Sequence, residues 1–328
     1  MALRRPLALT RIRVRRPKPG LQPQHLTVVR ALATIADAAV SGDALGSTEL
    51  SFVPRAARPG EYRIDVAATT PSAGSVTLLF QALLLPLALA GAPSHLVLRG
   101  GTHVPWSPVV PYLTHVFLPA LASIGLHADI TLRRWGWYPA GGGEIEARIE
   151  PWTPGAGFVA TSPVDDDEKV VGLSAVSRLP LSIAERQRRR AEERLRVAGV
   201  APDIAVESDE EARGPGTLLF LAAHGRAGFS ALGRRGVPAE RVADTAVDAL
   251  LGWRASGAAI DAHLADQLVP FVAFATGGSR YTCPEVTSHL LTVAWVVRQF
   301  LPVHIALAGD RPARVDVTGD GVGRRRPT

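Results

Sequence analysis

Ser75-Val76-Thr77-Leu78-Leu79-Phe80-Gln81-Ala82-Leu83-Leu84-Leu85-Pro86-Leu87-Ala88-Leu89-Ala90 reads as an apolar helix with Ser75 as its N-cap, and the elements after it decide the fold. A strand at His95–Leu98 runs into Gly100-Gly101-Thr102. A second helix covers Pro111–Ile124, and strands at Ala128–Arg134 and Gly143–Glu150 flank the turn Trp137-Tyr138-Pro139-Ala140-Gly141-Gly142. Helices alternating with paired strands give layered α/β (α+β) units of similar size, with helices packed on mixed sheets. The units share too little identity to count as a repeat on sequence grounds.

Upstream, Leu7–Arg16 alternates as a strand, with Thr10, Ile12 and Val14 on one face and Leu9, Arg11, Arg13 and Arg15 on the other. It leads into the rigid turn Pro17-Lys18-Pro19-Gly20, so this basic ribbon is either a phosphate grip or a solvated sheet face. A helix is expected from Gln24 to about Ala39, stopped by Gly42, then strands at Thr48–Val53 and Glu61–Val66.

Downstream, the acidic run Asp165-Asp166-Asp167-Glu168 has no fixed ligand spacing, which favours a solvated loop over a metal site. From Val170 to Arg254 the chain is more highly charged. A helix at Ile183–Val197, a strand at Thr217–Ala223 and a helix at Val237–Trp253 mark a small α/β module of its own. The apolar helix beginning at Ile260, a strand at Ser279–Thr282, the helix carrying His289 and a final strand at Val303–Ala308 then repeat the earlier order.

Composition narrows the function classes. The chain has 328 residues, 47% hydrophobic and 20% charged, enough apolar content for a large core or two domains. Cys283 is the sole cysteine, which excludes an intramolecular disulfide and a cysteine zinc cluster. The net charge of +6 favours a polyanionic partner. No run reaches the roughly 18 apolar residues of a membrane helix, the segment Ala82–Ala92 being too short. The arginine-rich start Met1–Pro6 has no apolar stretch behind it to make a signal peptide, so no membrane association and a cytoplasmic location are expected. The tail Gly323–Thr328 has the composition of a disordered segment suited to nonspecific contact with RNA.

One side chain stands out chemically. His289 lies early in the apolar run Ser288-His289-Leu290-Leu291-Thr292-Val293-Ala294-Trp295-Val296-Val297, where an imidazole is costly unless paired or reactive. A neutral imidazole is a nucleophile able to carry a phosphoryl or nucleotidyl group. A structural histidine is the commoner meaning of such a pattern, and residues alone leave both open.

Four stretches in order resemble the RNA 3′-terminal phosphate cyclase family. They are Arg16-Pro17-Lys18-Pro19-Gly20-Leu21 with Gln24-His25-Leu26-Thr27; Ser72-Ala73-Gly74-Ser75 with Gln81; Gly100-Gly101-Thr102 with Trp137-Tyr138-Pro139-Ala140-Gly141-Gly142-Gly143; and Leu264-Ala265-Asp266-Gln267-Leu268 with Ser288-His289-Leu290-Leu291-Thr292 and Phe300-Leu301-Pro302-Val303. The resemblance runs from about Arg13 to the C-terminus. It implies a domain of repeated units, each a four-stranded sheet with two helices, spanning residues 1–169 and 255–328, with residues 170–254 as an inserted small domain.

It also implies an activity: ATP and a divalent cation, magnesium or manganese, convert an RNA 3′-phosphate into a 2′,3′-cyclic phosphate, with His289 covalently adenylylated on the way. Arg13 and Arg16 match positions near bound phosphates, where guanidinium forks suit the geometry. Gln24 and His25 match a pair lining the same site, and Asp266 and Gln267 match residues near the nucleotide. His263 stands where relatives often have an aromatic residue, and could stack on adenine. Tyr138 and Trp137 are either a base-stacking pair or a half-buried structural pair.

Members of the family open with a strand and a Gly-Glu-Gly-Gly-Gly-Gln segment leading into a helix. This sequence has neither and starts where that helix would end, so the first unit is expected to lack a strand and a helix, leaving an open sheet edge. The metal ligands are unassigned as a result. The alternative is a noncatalytic cyclase-like RNA-binding protein. A small-molecule transferase on similar units has no support from the His289 motif.

Overall fold

The computed structural model describes residues 3–67, 73–165 and 169–319. Ser72, Asp166, Asp167, Glu168 and the basic tail from Gly323 lie outside the described residues. The chain divides into two compact units, Met1–Val110 with Ala128–Trp152 and Glu211–Gly214, and Pro111–His127 with Thr153–Glu210 and Pro215–Thr328.

In the first unit, strands Glu61–Asp65, Ser94–Gly100, Gly143–Ile149 and Ala128–Arg134 lie side by side in that order. The first two are parallel, with Glu61 opposite His95, as the intervening helix Val76–Ala88 requires. The other pairs are antiparallel. Along Gly143–Ile149, Ile145, Ala147 and Ile149 are buried, while Glu144 and Glu146 face outward to Arg99 and Arg133 at 2.5 and 2.7 Å. Such exposed pairs contribute under about 1 kcal/mol each; the buried face holds the sheet. The helix buries Val76, Leu79, Phe80, Leu83, Leu84 and Leu87, and the Ser75 hydroxyl accepts from the Leu78 N–H at 3.2 Å, as the N-cap pattern predicts.

The second unit contains a sheet of the same design. Val159–Ala160, Ser279–Cys283, Ala313–Thr318 and His304–Ala308 are laid in the same order, first, second, fourth and third in the chain, parallel and then antiparallel. Between its first strand and its crossover helix Ala262–Val272 the chain forms a separate four-stranded sheet from Pro202–Ser208, Val170–Ser177, Gly216–Ala223 and Ala227–Leu232. Helices Ser182–Val197 and Ala239–Ala255 cover it. The strand Gly216–Ala223 is buried on both faces. Leu219 and Leu221 join Leu195, Ala243, Val247 and Leu250, and the opposite face meets the helical segment Leu113–Phe117. A Cβ at Gly228 would come within 2.8 Å of Tyr112 and 2.9 Å of Val116, so that approach requires glycine.

The sheet at the start of the chain has three strands, Leu7–Leu9, Leu50–Val53 and Ala39–Ser41, all antiparallel. With helix Pro23–Ala36 they reproduce the second, fourth and third strands of the shared pattern.

Four expectations are corrected. The strand expected over Leu7–Arg16 is confined to Leu7–Leu9. Beyond it the chain turns, with Arg11 and Arg13 left-handed (φ 57° and 53°) and the Gly20 N–H closing on the Ile12 carbonyl at 2.9 Å. Gly20 fixes this path because a Cβ there would lie 2.0 Å from the Gly46 carbonyl oxygen. The helix expected to reach Ala39 stops at Ala36, where Asp37 turns left-handed (φ 43°), and Ala39 opens a strand. The helix expected over Pro111–Ile124 widens to a π-helical turn at Leu113–Phe117. Pro119 has no N–H to offer the His115 carbonyl, which accepts from Gly225 at 2.8 Å instead. The strand expected as final, over Val303–Ala308, is present as His304–Ala308, but among the described residues Ala313–Thr318 follows it as the last strand.

Candidate active site

Helix Ala262–Val272 starts at Asp261, a buried carboxylate that accepts from the N–H groups of His263 (2.7 Å), Leu264 (2.8 Å) and Gly228 (3.1 Å) and from the Tyr112 hydroxyl (3.2 Å). Burial raises the proton affinity of Asp261, and the backbone donors oppose that shift. The buried Tyr281 hydroxyl donates to the Ala265 carbonyl at 2.8 Å. These bonds fix the first turn of the helix, up to the residue before Asp266. Nothing in the sequence pattern marked Asp261 beyond its place before an apolar run.

Asp266 is 4% exposed, and its carboxylate lies 3.0 Å from Nδ1 of His289. His289 is the second residue of helix Ser288–Phe300, capped by Thr287, whose hydroxyl accepts from Leu290 at 3.0 Å. The His289 side chain is 74% exposed. The imidazole is therefore not buried in the apolar helix face: it stands on the open side of the first turn, held by one nitrogen. With Nδ1–H donated to the carboxylate, the lone pair is on Nε2. Burial raises the Asp266 pKa, and His289 and then His263 pull it back down. His263, one turn before Asp266, is exposed, and Gln267 is half-buried. The second unit thus gathers His289, Asp266 and His263 at one place.

The remaining candidates lie in the first unit. His25, in the first turn of helix Pro23–Ala36, accepts from the Gln22 N–H through Nδ1 at 3.1 Å. Its pKa is lowered by burial and then by the Arg13 guanidinium, so Arg13 and His25 are neighbours. Arg13 Nη2 donates to the Lys18 carbonyl at 3.5 Å, while its Nε is buried without a hydrogen-bond partner. An orphaned buried guanidinium N–H is an anion-binding feature. Arg16 is exposed on the same loop. Gln24 uses both ends of its amide on Ser75, accepting its N–H at 3.1 Å and donating to its carbonyl at 3.5 Å, so it ties two loops together.

The aromatic pair resolves unequally. Trp137 is buried, its ring 4.9 Å from that of His103, with Trp135 completing the cluster. Tyr138 is exposed. Only Tyr138 is available to stack on a ligand. Among the described residues no group of three or more His, Cys, Asp or Glu side chains stands close enough to hold a metal ion, and no helix is long and apolar enough to cross a membrane.

A mixed α/β protein with a carboxylate-anchored histidine and a separate arginine loop is the class that the fold and side chains define. The family model for RNA 3′-terminal phosphate cyclase matches residues 1–307. Relatives carrying that name include those of Methylococcus capsulatus, 43% identical over 97% of this chain and 91% of the relative, and Thermococcus onnurineus, 42% identical over 96% and 92%. That of Trichormus variabilis is 42% identical over 90% and 86%. The chain belongs to the RNA 3′-terminal phosphate cyclase family, whose named members are ligase-class enzymes.

Proposed function

We propose that this chain consumes ATP to convert an RNA 3′-terminal phosphate into a 2′,3′-cyclic phosphate through an adenylylated His289. The observation that carries the reading is the pairing of His289 Nδ1 with buried Asp266, which leaves Nε2 free on an exposed face. Nε2 attacks the α-phosphorus of ATP: a P–N bond forms, the bond from the α-phosphorus to the bridging oxygen breaks, and pyrophosphate leaves. The ring then carries positive charge, which the Asp266 carboxylate stabilises through Nδ1–H. An oxygen of the RNA 3′-phosphate displaces the imidazole, giving a mixed anhydride with AMP. The vicinal 2′-hydroxyl closes on the RNA phosphorus and AMP leaves. Ring closure needs little beyond orientation, because the hydroxyl is tethered beside the phosphorus.

Arg13, with its orphaned Nε, and Arg16 suit the binding of phosphates, and burial and the Arg13 guanidinium both lower the pKa of neighbouring His25. Gln24 acts by positioning the Ser75 loop. His263 and Gln267 flank Asp266, where contact with the nucleotide is the role we assign them. With no cluster of three ligands among the described residues, a magnesium or manganese ion would be held chiefly by phosphate oxygens and would neutralise their charge. Incubation with α-labelled ATP should give an acid-labile protein adduct that His289→Asn abolishes. A folded wild-type chain that takes up no label with either metal present refutes the reading.

A further inference from the structure

Trp106 is 95% exposed and sits in the left-handed region at φ 61°. For a bulky L-residue that conformation costs about 1–2 kcal/mol, and leaving a whole indole in water forgoes the burial it would gain elsewhere. Both costs fall on one residue, and such residues cluster at binding sites. Trp106 does not stand alone. It lines a pocket of about 300 Å³ with Tyr138, 64% exposed, and Leu78, 37% exposed, so three of the large exposed apolar side chains of the chain converge on one place. That volume is at the small end of small-molecule sites.

The polar side of the pocket is Gln24, Ser75 and Ser107. Its two aromatic arms are rigidly based. The His103 and Trp137 backbones form a bridge that ties the loop before Trp106 to the loop before Tyr138, and their rings meet at 4.9 Å, tilted by 30°. The Ser107 hydroxyl donates to the Val104 carbonyl at 3.0 Å and closes the Trp106 turn. Gln24, which borders the pocket, immediately precedes His25, the neighbour of Arg13. An aromatic platform therefore adjoins an anion-binding loop within one unit. A nucleotide, with its flat base and its phosphate, has that pair of features.

We propose that the Trp106–Tyr138 pocket holds the base of the 3′-terminal nucleoside of the RNA, by stacking and without selecting among bases. This rests on the proposed RNA substrate. Stacking tolerates every base because each has a π-face. The same chemistry is present in the adenine of ATP, and the test separates the two sources.

The affinity of a 3′-phosphorylated oligoribonucleotide is measured by fluorescence anisotropy without ATP. Trp106→Ala should weaken it roughly 5-fold to 100-fold, the loss known for one stacked base, and Trp106→Phe should restore most of it. An oligonucleotide abasic at its 3′ end should bind wild type at least as weakly as the intact one binds Trp106→Ala, and Trp106→Ala should cost the abasic one nothing further. The proposal fails if Trp106→Ala binds within twofold of wild type, if the two losses add, or if wild type does not bind the RNA. It also fails if Trp106→Ala keeps its RNA affinity but loses labelling by α-labelled ATP, which would give the pocket to adenine. Failure of the adenylylation reading is distinct: wild type then takes up no label, whatever the anisotropy series reports.

Discussion

His289 and His103 are the same side chain in two regions with opposite surroundings. His289 is exposed and its ring is anchored by a buried carboxylate. His103 is 1% exposed, its Nδ1 shares a 2.7 Å hydrogen bond with the Thr102 hydroxyl, its Nε2 has no partner, and burial lowers its pKa to about 3. One ring is presented to solvent with a lone pair available; the other is locked neutral between tryptophans. Neighbouring residues in the sequence do not separate these cases, since both histidines lie in uncharged, largely apolar stretches. What separates them is whether a carboxylate from another helix reaches the ring.

The contrast can be broken at Asp266. Asp266→Asn keeps the shape and removes the charge that, in the proposed mechanism, stabilises an adenylylated imidazole. Labelling of His289 by α-labelled ATP is expected to slow by about 10-fold to 100-fold, the usual loss when a carboxylate behind a functional imidazole is replaced; an unchanged rate would leave Asp266 with a purely structural part.

His103 should announce itself through stability instead. Its folded pKa lies below the ordinary value of 6.5, so between about 3 and 6.5 the unfolded chain binds more protons than the folded one. Stability therefore falls as pH drops through that window, by roughly 1.4 kcal/mol per pH unit from this residue. Urea unfolding at pH 7 and pH 5.5 should show a smaller acid loss in His103→Phe than in wild type. Equal losses would mean that the ring is not held neutral.

The smallest effect is expected at the arginine loop. Arg13→Lys keeps the charge but removes the planar fork and the orphaned Nε. The affinity for a 3′-phosphorylated oligonucleotide should fall only a few-fold, by about 1 kcal/mol, and its salt dependence should stay the same. A loss equal to that of Arg13→Ala would place the whole contribution in the fork.

Much of the fold was legible. Val76–Ala88, Gly143–Ile149 and Ser182–Val197 follow their hydrophobic periods closely because each buries one continuous face or is apolar throughout, and Ala128–Arg134 alternates half-buried with exposed positions. Where the reading failed, a distant backbone had intervened. The alternation of Leu7–Arg16 is a true strand pattern, yet Gly20 against Gly46 turns the chain after Leu9. Trp137 and Tyr138 are adjacent and chemically alike, yet the strand bridge to His103 buries one and exposes the other. Trp106 drew no attention because its exposure and its left-handed backbone are invisible in a string of letters.

The sequence by itself determined the order of the main helices, the family, and His289 as the side chain to test, because these depend on local periodicity and on short motifs. Only the tertiary structure decided which nitrogen of His289 is free, that Gln24 ties loops together, and that Trp106 and Tyr138 face one pocket. Those properties belong to pairs of residues far apart in the chain, and only folding brings such pairs within hydrogen-bond or stacking distance.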